Sequence, residues 1–431
     1  MIFKVLRRLF IMKKAIACMT AAVMTCAAAA PAFASQLTAW CYDDINVQVL
    51  KEAEAAYQEI DPDFSLEIVQ MESGDLELRV TTAGISGDYS TLPDLFLFQD
   101  YFFQKDVENY PDVFYGLSGT DIDFSQFPEG KVVNSVVNDE NYAVPFDNGI
   151  VISAYRTDFL EQAGYTIDDL TDITWDRFLE IARDVKEKTG LPMLSAKSGD
   201  PQLIYIMLGS MGGSFFDEDG NANLAGNEDL KRCCEMYIQM VEEGLLLETT
   251  DWEQYYASFA NGNVVGVLNG CWVTGNIQNA ADQSGLWDVT NIPKFDVDYG
   301  TNYSKNGGSS WSVSAASENI DLAVDFLKQT FAGEKSAPVY EKALTLGLVA
   351  TYAPAADLDI YNQPSEFFSG DAVYAKFVDY SQYMPTAIIG AYYYDCITAL
   401  GVATSNVILN GADLDAEIQG AQDTVDFNMA G

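Results

Sequence analysis

Flat aromatic rings and short directional polar groups fall together along this chain. Trp40 and Tyr42 precede Asp43 and Asp44, Gln99 and Asp100 follow a phenylalanine-rich run, Asp147 follows Phe146, and Ser309 stands two residues before Trp311. Trp272 follows an Asn-Gly pair, and Tyr392, Tyr393 and Tyr394 add three consecutive rings. An aromatic face stacks on an apolar ring, while a carboxylate or amide accepts and donates hydrogen bonds in fixed directions. A ligand with apolar ring faces and a rim of hydroxyls, a carbohydrate, asks for both. The bland alternatives are that the acids belong to an acidic surface and that Trp272 packs beneath a helix.

Other chemistries fare worse. The chain has no histidine, which removes Ser-His-Asp and Cys-His catalysis and the commonest zinc ligand. Its 64 acidic residues against 23 basic ones make nucleic acid a poor partner. A secreted glycoside hydrolase also combines aromatics with paired carboxylates, but no acid is singled out as a proton donor facing a second one. The tyrosine run raises a ferric-ion carrier as a further alternative. Asp217-Glu-Asp-Gly220 suggests calcium superficially, yet it lacks the third oxygen ligand before its glycine and the closing glutamate, so it reads as a hairpin turn. No cofactor and no metal are expected.

The N-terminus reads as an export signal over residues 1–34. Lys13 and Lys14 precede an alanine-rich apolar run, and Ala32-Phe33-Ala34 fits a small-x-small cleavage site before Ser35. Anchoring as a lipoprotein through Cys26 competes with this, although Val23-Met24-Thr25 frames that cysteine poorly. Beyond the signal, Cys41, Cys233, Cys234, Cys271 and Cys396 form an odd, scattered set rather than a disulfide framework. The pair Cys233-Cys234, at helical spacing with Leu230, Tyr237 and Val241, reads as buried thiols.

The elements that must position these residues alternate between strand and helix. Leu37 to Tyr42 reads as a strand, Asn46 as an N-cap, Val47 to Ile60 as an amphipathic helix, and Phe64, Leu66 and Ile68 as a second strand. This β-α-β unit demands a parallel sheet, whose carboxyl edge is where ligands bind. Leu95 to Phe98 adds a buried strand that delivers Gln99 and Asp100 to that edge. In the central stretch Tyr142 to Tyr165, the cluster Asp147-Asn148-Gly149 reads as a turn between two apolar runs. Thr174 caps a helix closed by Gly190, and Val264 to Leu268 is a buried strand before Trp272. Gly307 and Gly308 open a further strand, and helices follow near 371–380, 394–409 and 414–429. The class is α/β, with lobes knitted together.

The order and spacing of several pieces resemble the maltose-binding-protein-like group, family 1, of extracellular solute-binding proteins that serve ATP-driven sugar importers. The pieces are Trp40 and Tyr42 before an amphipathic helix, Pro93-Asp94 with Gln99-Asp100-Tyr101, and Val144-Pro-Phe-Asp147 followed by Tyr155-Arg-Thr-Asp158 and Ala163-Gly164. They continue with Thr174-Trp175, with Phe259, Gly262, Gly270 and Trp272, and with Gly307-Gly-Ser-Ser-Trp311 before Ala323, Phe326 and Leu327. The resemblance implies a two-lobed periplasmic-binding-protein fold, type II-like, with lobes at 35–146 plus 311–355 and at 147–310 plus 356–431. Crossings are implied near Phe146 to Asn148, Gly307 to Ser310 and Tyr352 to Asp357. Implied sugar contacts are Tyr42, Asp43, Asp44, Gln99, Asp100, Asp147, Trp272, Ser309, Trp311 and, from the tyrosine run, Tyr393; residue chemistry adds Trp40. Implied partners are a carbohydrate and the transmembrane subunits of an ABC permease, for an exported, non-enzymatic monomer. Two adjacent acids after the first strand depart from the pattern and leave the sugar open.

Overall fold

A computed structural model describes residues 35–385 and 390–430; the signal segment and Cys26 lie outside the described residues. The first strand, Gln36–Cys41, lies parallel to Ser65–Gln70 on one side and to Leu95–Gln99 on the other. Its alternation does the sorting. Leu37, Ala39 and Cys41 face one apolar cluster, while Trp40 turns to another with Leu76, Val80 and Phe96. Helix Asp43–Gln58 supplies the crossover, burying Ile45, Val49, Leu50, Ala53 and Tyr57. It begins four residues before the expected Val47 and stops short of Ile60, with Tyr42 at its N-cap. Asn46 is therefore inside the helix, where its amide donates to the Tyr42 carbonyl at 2.7 Å.

The sheet continues with Lys305–Val313 antiparallel to Leu95–Gln99, and then with the 13-residue strand Val144–Arg156. That strand corrects the expected turn. Asp147, Asn148 and Gly149 lie in unbroken extended backbone, pairing with Ser309, Gly308 and the short strand Val349–Ala350. The same strand then pairs with Gly266–Gly270 and Trp287–Thr290. The glycine is there for space, because a Cβ on Gly149 would lie 2.3 Å from the Asn306 carbonyl oxygen. Turn-like composition thus marks a close approach of two backbones, and sequence alone does not tell the two apart.

Two strands therefore run through the whole molecule, with separate cores at their two ends. One end packs Phe64, Phe326, Phe331, Trp311 and Phe146. The other packs Trp175, Phe178, Cys233, Cys234 and Tyr237 beside a neighbouring cluster around Trp287, Phe259 and Phe377. Core membership changes again along 353–362, where Ala355 belongs to the first core and Tyr361 to the last. The expected caps form: Thr174 accepts from the Arg177 amide, and Gly190 ends that helix in the left-handed region at φ 78°. Cys41, Cys233, Cys234, Cys271 and Cys396 are all free and buried. Asp217 closes a tight turn, accepting from the amides of Asp219 and Asn221 beside the Phe216–Ala222 bridge. Among the described residues no helix is long and apolar enough to cross a membrane.

Replacing Gly149 with alanine should lower unfolding stability by about 1–3 kcal/mol through overpacking against backbone that cannot swing away. Denaturant melts measure this, and an unchanged midpoint would show that the two strands separate freely here.

Candidate functional site

Where the two long strands pass between the cores, a cleft of about 480 Å³ opens. Its first wall comes from the carboxyl edge of the parallel strands, with Tyr42, Asp43, Gln70, Glu72 and Gln99. Its floor is the crossing itself, with Asp147, Asn306, Gly307, Gly308 and Ser309. The opposite wall is aromatic. Trp252 and Tyr256 stand one helical turn apart on Trp252–Ala260, with ring centroids 5.9 Å apart and nearly parallel. Trp272 meets Trp252 edge to face at 5.9 Å. Tyr101, Tyr393 and Tyr394 close one end, Tyr393 stacked on Tyr101 at 4.0 Å.

The floor is fixed by buried hydrogen bonds. Asp147 accepts from the Ser309 amide at 2.9 Å and from the Ser309 hydroxyl. Burial pushes the Asp147 carboxyl above its usual range, with Lys131 opposing, and burial together with Asp147 raises the Tyr42 phenol. The Asn306 amide donates at 2.8 Å to both Gln202 and Asn269, and Asn269 in turn donates to the Tyr255 hydroxyl at 3.0 Å. The Gly307 amide donates to the Tyr101 hydroxyl at 2.9 Å. Gly307 and Gly308 have φ of 94° and 108°, values that L side chains rarely adopt. These bonds hold the floor's polar groups in one geometry before any ligand arrives.

Seven of the residues singled out in the sequence line this cleft: Tyr42, Asp43, Gln99, Asp147, Trp272, Ser309 and Tyr393. Four do not. Trp40 is buried beneath Ser73–Ser86, one pleat back from the sheet edge, with the Arg79 guanidinium 5.6 Å over its ring. Asp44 lies one position along the helix from Asp43 and points into solvent, accepting from Gln48 at 2.8 Å. Asp100 is buried away from the cleft, 2.5 Å from Lys131 and accepting from Ser310 at 3.0 Å. Trp311 is fully buried, packed on Phe331 at 5.6 Å and Phe146 at 6.0 Å. Neither exclusion comes from strand alternation: Asp100 is the first residue of a helix rather than a continuation of the strand ending at Gln99, and Trp311 shares the face of Ser309 but sits two residues deeper, in the core with Leu97.

Sequence reading missed Trp252 and Tyr256, Asn306 and Gln202, and Glu72. The aromatic pair did carry a signal. On a helix whose buried side is Tyr255, Ser258 and Phe259, rings at positions i and i+4 define a second aromatic face. Tyr394, expected only as part of a run, stacks on Phe102 at 4.3 Å and donates to Gln99.

Asp43 is strongly perturbed by its position. It has φ 58°, the left-handed region, at the first position of its helix. Burial and the facing Glu72 carboxylate push its pKa from 3.8 up to about 6, against a hydrogen bond from Tyr256.

The model of the bacterial extracellular solute-binding protein family matches residues 43–329. The lactose-binding protein of Rhizobium radiobacter is 37% identical over 409 residues, covering 94% of this chain and 96% of that protein. The arabinooligosaccharide-binding protein of Halalkalibacterium halodurans is 23% identical, with 92% and 90% covered. Among solved structures, the ABC transporter associated binding protein from B. animalis subsp. lactis, in complex with beta-1,6-galactobiose, superposes with a TM-score of 0.77 at 18% identity. It covers 92% of this chain and 98% of that one.

Asp43 supports a pH prediction. Its carboxyl holds a proton more tightly folded than unfolded, so ionisation costs the folded state. That cost is absent below the unfolded value of 3.8, grows as pH rises, and is complete above about 6. Asp43→Asn, in which asparagine tolerates the left-handed backbone, should therefore melt higher than the parent at neutral pH, with the difference vanishing toward pH ~3.5. A difference independent of pH would mean that Asp43 titrates as a free carboxylate.

Proposed function

The chain belongs to the bacterial extracellular solute-binding proteins, and from that premise we propose that it is the exported substrate-binding component of an ABC importer, carrying a neutral sugar or short oligosaccharide to a membrane permease. The observation that carries this reading is the pairing across one cleft of an aromatic wall, Trp252, Tyr256 and Trp272, with directional acceptors and donors at Asp43, Gln99, Asp147, Asn306 and Ser309. Sugar faces stack on such rings while their hydroxyls meet the polar groups. The lining holds Asp43, Glu72, Asp147 and Glu253 and, among the described residues, no lysine or arginine. An anionic sugar would meet uncompensated negative charge there. The 37% identical relative's name, lactose-binding protein, favours a galactoside as the first ligand to try.

The lobe limits at 35–146 with 311–355 and at 147–310 with 356–431 belong to the same proposal, as do the monomeric state and removal of the signal at Ser35. The cores at the two ends of the long strands support such a division, and closure of the lobes over ligand follows from a floor made only of crossing strands.

The family consists of binding proteins rather than enzymes. One observation nevertheless keeps a hydrolase as a second reading: Asp43, its pKa raised to about 6, faces Glu72 beside the aromatic wall. Labelled oligosaccharides separate the two, since a carrier binds without turnover and a hydrolase releases reducing ends. The ferric reading loses support, because burial raises the Tyr393 and Tyr394 phenols well above their ordinary value and so disfavours the phenolates that iron requires.

Thermal shift against lactose, related disaccharides and monosaccharides tests the carrier reading; a sugar at 100 times its dissociation constant should add about 2.7 kcal/mol of stability. No shift with any sugar would overturn it. Trp272→Ala should cost about 1–3 kcal/mol of sugar binding, roughly tenfold to a hundredfold in affinity, with little loss of unliganded stability. Calorimetric titration paired with ligand-free melts reads both quantities, and a mutant with full affinity and a much lower midpoint would make Trp272 a packing residue.

A further inference from the structure

A second cavity, of about 340 Å³, adjoins the cleft and shares Gln99, Tyr101, Gln202, Trp252 and Tyr394 with it. Resting on the carbohydrate reading of the cleft, we propose that this second chamber receives a further sugar unit, so that the ligand is a neutral oligosaccharide of at least three units rather than a disaccharide.

The chamber is equipped for such a unit. Asp200 lines it, and the Asp200 Oδ1 atom is buried without a hydrogen-bond partner, a costly state that a ligand hydroxyl would relieve once a small rotation of the carboxylate turned that oxygen to the chamber. The other Asp200 oxygen has only long contacts, 3.3 Å to the Gln202 amide and 3.7 Å to Lys197. Lys105, paired with Asp395 at 2.8 Å, offers donors and acceptors side by side on another part of the lining. Sugar hydroxyls use both at once. Neither lysine is an unpaired cation, so nothing in the chamber selects an anion.

The shared residues make the two chambers neighbours, and the proposed ligand extends from one into the other. Trp252 belongs to both and presents its edge to Trp272 in the first. Tyr394, stacked on Phe102 and bonded to Gln99, stands at the boundary of the two chambers. A ligand confined to the first chamber would leave Asp200 Oδ1 without a donor.

The test uses the mature full-length protein and calorimetric titration with lactose and with trisaccharides that extend lactose by one neutral hexose at either end. One of the trisaccharides should bind at least tenfold tighter than lactose. Thr398→Trp places an indole in the second chamber from an exposed helical position outside the first. It should leave lactose affinity unchanged and remove the trisaccharide's advantage. Equal affinity for lactose and both trisaccharides in the parent protein would overturn the proposal while leaving a disaccharide carrier intact. A trisaccharide advantage that survives Thr398→Trp would place the third unit elsewhere and also overturn it. No binding of any of these sugars, together with no stabilisation by other sugars, would overturn the carbohydrate reading and this extension with it.

Discussion

The clasp between Asp147 and Ser309 holds together the two strands on which everything else hangs. Ser309 gives both its amide and its hydroxyl to one carboxylate oxygen, and its carbonyl accepts from Lys131 at 3.0 Å. Lys131 is in turn neutralised by Asp100, which also accepts from Ser310. Charges this deep are costly to bury, and only such complete pairing makes the arrangement tolerable. Removing one member would strand the rest. The network therefore sets where the strands cross, and through them the separation of the aromatic wall from the sheet edge.

The glycines follow from the same constraint. Gly149 and Gly270 let the Asn306 carbonyl approach, and at Gly308 a side chain would meet the Asp100 carboxylate. Asn306, Gly307 and Gly308 can then line the cleft with backbone and amide groups that are already committed in direction. Preorganisation of this kind lowers the ordering cost of binding.

Much of the architecture was legible in the chain because it rests on local rules. Alternation marked Leu37 to Cys41, caps marked the helix Trp175–Thr189, and the phenylalanine run marked Leu95–Gln99. The reading failed where a residue's meaning depends on a distant partner. Asp147-Asn148-Gly149 has turn composition, yet its neighbour across the sheet, more than 150 positions later, makes it strand. In the site, residues at the carboxyl ends of strands were placed correctly in kind, but those one position further were not: Asp43 and Gln99 reach the cleft while Asp44 and Asp100 turn from it. Trp40 and Trp311 looked like stacking rings because an aromatic near polar residues carries no sign of how far behind the sheet edge it sits. Trp252 and Tyr256 were hidden because they belong to no motif, and only the fold brings their helix opposite the sheet edge.

The five buried thiols among the described residues bear on how the chain would fare in an oxidising compartment. Burial pushes Cys41, Cys234, Cys271 and Cys396 up to about 12 and raises Cys233 well above its usual value, so almost no thiolate exists while the fold is intact. In an oxidising compartment, native structure would do the work of a reducing agent. An unfolded copy loses that shelter, and an odd number of thiols that includes a vicinal pair can then cross-link within or between chains faster than it refolds. For a chain with thiols sheltered in this way, exposure to an oxidising compartment makes the rate of opening, and not equilibrium stability alone, a limit on lifetime.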